Sequence, residues 1–130
     1  MKRSLFFIVC SIALLSCGKK DYKEVLSDPS LYSKTVHELN IVVMGNNFNP
    51  IVASRNYMYA AVAGYEASAA GYPDKYYSLA GQLKGLDKTF RPEAGKTINF
   101  EFASLLAYCN LGETGTFPAG SMKEYVDGLK

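Results

Sequence analysis

The stretch that begins at Asn49-Pro50 sets the tightest limit on what this chain can fold into. Asn supplies an N-cap acceptor and Pro suits the first helical position. Gly71 and Pro73 supply the stop. A helix is therefore predicted over about 50–70. It is rich in small residues: Ala53, Ala60, Ala61, Ala63, Gly64, Ala67, Ala69 and Ala70. Tyr57, Ala60, Gly64 and Ala67 fall on one narrow stripe, where small side chains let another helix approach closely. A helix that is apolar nearly all round is expected at the centre of a bundle and not on its surface. Tyr57, Tyr59 and Tyr65 add contact area with polar tips.

The rest of the chain reads the same way. Asp28-Pro29 starts a helix of about 29–44, with Tyr32, Val36, Leu39 and Val43 as its apolar stripe. Pro73-Asp74 predicts a shorter helix over about 74–84, closed by Gly85. Gly85, Pro92 and Gly95 mark 85–96 as a loop. Ile98, Phe102, Leu105 and Cys109, with Leu106 beside them, predict a helix over about 97–111 ended by Gly112. Residues 112–120 read as a loop. Ser121-Met122-Lys123-Glu124 resembles a capping box opening a last helix, whose face of Met122, Tyr125, Val126 and Leu129 has nothing after it to pack on. No period-two alternation and no repeat occur. The expected fold is all-α, with about five helices forming part of a helical bundle, the last of them incomplete. This pattern suggests a truncated product of a longer protein. The other reading is that the last helix docks on the earlier ones.

Composition narrows the functional classes. The apolar fraction is 48% and the charged fraction 20%, close to globular averages. Those values exclude a disordered tail, a collagen-like fibre and a multi-span membrane protein. A formal charge of +2 is too small for nucleic-acid binding by bulk charge. Three Cys and one His leave no Cys/His zinc framework. No metal site is expected.

The +2 itself belongs to the N-terminus. Lys2 and Arg3 precede an apolar run from Leu5 to Leu15 interrupted by Ser11. That run is too short to cross about 30 Å of hydrocarbon and fits the core of a signal peptide. It ends in Leu14-Leu15-Ser16-Cys17, which resembles the bacterial lipobox. The alternatives are an ordinary secretory signal with a chance Cys, or an uncleaved anchor. The lipobox implies a signal peptide over 1–16, lipidation of Cys17, a polar tether over 17–27 and a helical region over 28–130. Cleavage before Cys17 removes Lys2 and Arg3, so the mature chain is formally neutral. Acyl chains on Cys17 would hold it to a membrane at the cell envelope, on the periplasmic or outer-membrane side. Cys10 leaves with the signal, and Cys109 remains as a thiol with no intramolecular partner, expected as a buried small hydrophobe.

Three runs carry a family resemblance. The first is Asn49-Pro50-Ile51-Val52-Ala53-Ser54-Arg55-Asn56-Tyr57-Met58-Tyr59-Ala60, continuing through Ala67. The second spans Tyr77 to Leu86 and the third Asn99 to Tyr108. Their order and spacing, with the lipobox, resemble the N-terminal region of Bacteroidota-type lipoproteins of the vanadium-dependent haloperoxidase and type 2 phosphatidic acid phosphatase superfamily. The resemblance implies a helical-bundle enzyme that binds vanadate or phosphate. Its oxyanion pocket is built from Lys-x6-Arg-Pro, Pro-Ser-Gly-His and Ser-Arg-x5-His. Lys and two Arg neutralise the oxyanion, one His is nucleophile or vanadium ligand, and the other is acid or base.

This chain lacks both His motifs, and its one His is His37 in the first helix. No catalytic residue is therefore expected in it, and no cofactor. The chain reads as the non-catalytic helical part of such a protein, supporting the remainder of the catalytic bundle. The alternative is a small self-contained envelope lipoprotein that binds a partner or ligand. Lys84, six residues, Arg91 and Pro92 do spell the first motif, which makes Lys84 and Arg91 oxyanion candidates on spacing alone. Their Gly/Pro-rich setting and the missing partner motifs favour chance. His37 reads as a solvated or partly buried helix residue. Glu66 and Glu101 are expected in structural ion pairs with Arg55 or a Lys. The ten Tyr could stack on carbohydrate, but their helical spacing suits core or interface roles.

Overall fold

The structure is a computed structural model that describes residues 22–118 and 120–129. The chain is all-helical: α1 Tyr22–Leu26, α2 Leu31–Gly45, α3 Pro50–Gly71, α4 Phe100–Thr114 and α5 Lys123–Leu129. The expected signal segment and Cys17 lie outside the described residues.

The predicted caps explain most boundaries. Asn49 Oδ1 accepts the Ile51 N–H at 2.9 Å and starts α3 with Pro50 as its first residue. Asn99 Oδ1 accepts the Phe102 N–H at 2.9 Å and starts α4, later than the expected residue 97. The α2 start also moves, from 29 to Leu31. Asp28 does not cap the helix directly. Its Oδ1 accepts the Ser30 N–H at 2.9 Å and the Ser30 hydroxyl at 2.7 Å, so Pro29 and Ser30 form a turn ahead of the helix. Lys34 pairs with the other carboxylate oxygen, and together these bonds hold the Asp28 carboxyl well below the usual carboxylate range. At the far end Asn47 takes a left-handed φ of 52°, which Asn tolerates better than most residues, and turns the chain toward α3.

Two expectations about helices are corrected. The stretch read as a tether contains α1, whose Val25 packs on the core and whose Tyr22 ring lies 6.2 Å from that of Phe102. The helix expected over 74–84 does not form, so the described residues hold five helices but not the same five. The cause is Glu66, only 6% exposed on α3. Its carboxylate accepts the Leu79 N–H at 2.6 Å and the Ser78 hydroxyl at 2.7 Å. In a helix the Leu79 N–H would be bonded to the carbonyl of Lys75. Tyr65 adds a second tie, its hydroxyl donating to the Tyr77 carbonyl at 2.8 Å. These long-range bonds outweigh a weak local propensity. They also correct the expected Glu66 ion pair, since this carboxylate is satisfied by neutral donors. Glu66→Ala is expected to cost about 2 kcal/mol, because it strands a backbone N–H, whereas Glu66→Gln keeps an acceptor there. Faster hydrogen exchange at the Leu79 amide and faster proteolysis within 72–99 in the alanine variant alone would check it.

The hub of the bundle is α4, against which every other helix of the described residues packs. Its broadest interface is with α3, along the predicted small-residue stripe: Ala60, Gly64 and Ala67 are buried and Tyr57 partly so. A Cβ at residue 64 would lie 3.3 Å from the Ser104 carbonyl oxygen and 3.4 Å from Tyr108 Cβ, so the absence of a side chain permits this approach. The Ser104 hydroxyl fills the gap and donates to the Gly64 carbonyl at 2.7 Å. The expectation that α3 itself is central is corrected. Ile51 is 71% exposed and Met58 50%, with Tyr59 and Val52 also facing outward. In its first half only the small-residue side of α3 is covered, while nearer its end Glu66 and Ala69 are buried off that stripe. In α2 the buried line is Thr35, Leu39 and Val43, while Tyr32 and Val36 of the expected stripe lie 43% and 40% exposed.

The core collects Leu39 and Val43 of α2, Ala60 of α3, and Leu105, Tyr108 and Cys109 of α4. Met122, Val126 and Leu129 join it from the last segment. The apolar face of α5, expected to lack a packing partner, therefore docks on the earlier helices. Tyr125 and Thr35 share a 2.7 Å hydroxyl contact beside it.

Candidate functional site

Above the α3–α4 crossing lies a groove of about 850 Å³, within the range of small-molecule sites. Tyr32 and Val36 of α2 form one wall. Tyr57, Ala61, Gly64, Tyr65 and Ser68 of α3 form the floor. Glu101, Ser104 and Tyr108 of α4 form the opposite wall. The turn after α3 closes one end with Tyr72, Lys75 and Tyr76. Six of the ten tyrosines thus gather at one place.

Local structure explains the gathering. Gly64 lets the Tyr32 hydroxyl lie over the floor, 2.6 Å from where a Cβ would stand. Tyr72 ends α3, its N–H bonded to the Ser68 carbonyl, and the Lys75 and Tyr76 amides bond back to the Tyr72 carbonyl. That turn brings the rings of Tyr72, Tyr76 and Tyr65 together edge to face, at 6.4 and 6.3 Å between centroids. Tyr32 and Tyr108 pair at 5.6 Å with their planes tilted by 60°. Lys75 extends its ammonium over the Tyr72 ring at 5.9 Å.

The polar groups are few and unequal. The Tyr57 hydroxyl is spoken for by Asn40 Oδ1 at 2.5 Å, and that of Tyr65 by the Tyr77 carbonyl. Tyr108 is different. It is only 4% exposed, yet its hydroxyl has no hydrogen-bond partner among the described residues. Its oxygen is not sealed from solvent either, and it lines the groove. Burial pushes the Tyr108 phenol up to about 12 and raises that of Tyr32, so both keep their protons near neutral pH.

The residues singled out by sequence lie elsewhere. Lys84 and Arg91 are exposed in the irregular segment between α3 and α4, and neither side chain has a polar partner among the described residues. His37 is exposed on α2, as expected. Cys109 is fully buried in the core, where burial pushes its thiol up to about 11, which suits a small hydrophobe and not a nucleophile. Glu101 stands at the groove rim and not in an ion pair; the pairs among the described residues are Lys34–Asp28, Lys96–Glu93 and Lys123–Asp127. Among the described residues no cluster of three or more His, Cys, Asp or Glu could hold a metal, and no helix is long and apolar enough to cross a membrane.

Comparison with protein-family models, with curated proteins and with solved structures finds no match to this chain.

Proposed function

We propose that this chain is a lipid-anchored envelope protein whose helices serve as the non-catalytic N-terminal part of a haloperoxidase/phosphatase-superfamily bundle. The carrying observation is where the family-like runs fall. The run from Asn49 to Ala67 forms most of α3, and that from Asn99 to Tyr108 forms most of α4. The run from Tyr77 to Leu86 holds the segment tied down by Glu66. Three separate stretches of resemblance thus meet in one packing unit, as scaffold residues would. The outward face of α3, with Ile51, Met58 and Tyr59, supports a role in packing against further helices. Cys17 is the proposed membrane attachment, and vanadate or phosphate would belong to a catalytic bundle carrying the histidine motifs.

Sequencing the gene past the Lys130 codon tests this reading. The expected result is coding sequence for Pro-Ser-Gly-His and Ser-Arg-x5-His, in frame or across a single frameshift. Their absence from that stretch overturns it. The tyrosine groove favours a second reading, a small envelope lipoprotein that binds a ligand directly.

A further inference from the structure

We propose that the tyrosine groove is a binding site for a neutral saccharide. This deepens the second reading above by naming a ligand class. It depends on neither the lipid anchor nor the superfamily kinship, so a missing histidine motif leaves it untouched.

The hydroxyl of Tyr108 is the first argument: its residue is buried, but the oxygen stays open to the groove with no hydrogen-bond partner among the described residues. Water can satisfy it in the open groove, whereas an apolar occupant such as an acyl chain would displace that water and leave it stranded. The occupant must therefore bring hydrogen-bonding groups of its own. Ser68 adds a second hydroxyl-bearing residue to the lining.

Ring geometry is the second argument. The Tyr65–Tyr76 and Tyr72–Tyr76 pairs stand at 75° and 78° between planes. Tyr76 thus stands nearly at right angles to each of its two neighbours, so adjacent aromatic faces point in different directions. Such faces fit a puckered saturated ring, whose C–H bonds point at more than one of them while its hydroxyls point between them.

Charge is the third argument. The lining carries one cation and one anion, Lys75 and Glu101, and Lys75 already lies over Tyr72. Nothing there selects a strongly anionic or cationic ligand. Neutral, hydroxyl-rich and built on saturated rings describes a sugar. A volume of about 850 Å³ leaves room for more than one ring.

Saturation-transfer difference NMR on the full chain in phospholipid nanodiscs tests the proposal, with maltose, cellobiose, lactose and chitobiose as probes. Irradiating the tyrosine ring protons is expected to transfer magnetisation to the ring C–H protons of at least one disaccharide. Tyr76→Ala, at a half-exposed ring outside the core, is expected to abolish that transfer. Tyr108→Phe keeps the ring and removes the hydroxyl, and is expected to weaken binding about fivefold, one neutral hydrogen bond. No transfer to any of the four sugars overturns the proposal, as does transfer that survives Tyr76→Ala. Transfer to indole but to no disaccharide also overturns it, and assigns the groove to flat aromatics. Concentration-dependent dimerisation lost in Tyr76→Ala, without sugar transfer, assigns it to a second copy of the chain and overturns it equally.

Discussion

Gly64→Leu is expected to cost about 3 kcal/mol, near the upper end for overpacking in a tight core. The reason lies in what surrounds the missing side chain. A Cβ at 64 meets three neighbours: Tyr32 Oη at 2.6 Å, the Ser104 carbonyl oxygen at 3.3 Å and Tyr108 Cβ at 3.4 Å. The first is the far end of a half-exposed side chain and can swing away. The other two belong to α4, one of them to its backbone, and cannot yield without parting the helices. A single methyl therefore asks little. Gly64→Ala is expected to stay within about 1 kcal/mol of the parent, since the helical gain of Ala over Gly offsets part of the crowding. The further atoms of Leu must enter the α3–α4 interface itself, and they would also break the 2.7 Å bond from Ser104 to the Gly64 carbonyl. Urea denaturation followed by circular dichroism separates the cases. A Leu variant as stable as the Ala variant would show that the crossing is loose.

Leu39→Ala is expected to cost about 3 kcal/mol as well, by creating a cavity. Leu39 is fully buried, and its methyls rest on Gly112, where a Cβ would lie 2.9 and 3.0 Å from them. This contact yields a sharper expectation than the single variant. Gly112→Ala alone should destabilise, because the new methyl strikes Leu39. Placed together with Leu39→Ala, the same methyl enters vacated space. The double variant should be more stable than the sum of the singles predicts by about 1 kcal/mol, the coupling expected of residues in direct contact. Strict additivity would mean that the two helices shift apart rather than hold their positions. In a domain whose whole stability is of the order of 5–15 kcal/mol, either single change is a large fraction of the total.

Much of the helical framework is readable from local chemistry. Asn49-Pro50 and Gly71 bound α3 to within one residue, because capping acts between near neighbours. The small-residue stripe on the same helix foretells its close contact with α4. The periodic pattern also places Leu105 and Cys109 in the core. What escapes is whatever depends on distant partners. Residues 74–84 carry a helix start and a Gly stop, yet Glu66 takes the Leu79 amide away from any helical ladder. Leu39 and Val43 are placed correctly, but Tyr32 and Val36 are not, since α2 turns its Thr35–Leu39–Val43 line and not that stripe into the core against α4. The groove is further from view. Its tyrosines lie on α2, α3, α4 and the turn after α3, each at a spacing that suits ordinary core packing. Only their convergence, and the unpartnered hydroxyl of Tyr108, distinguish them.

The tie between Glu66 and residues 78–79 also bears on the order in which the chain can assemble. The dominant α3–α4 contact joins helices separated by the whole 72–99 segment, an unusually non-local pairing for a helical chain. Closing that loop costs entropy before any contact rewards it. Once Ser78 and Leu79 are fastened to Glu66, the free loop that remains to be closed is only 80–99. Formed ahead of the α3–α4 contact, this structural carboxylate's tie would act as a kinetic shortcut, bringing α4 nearer to its seat before the two helices touch.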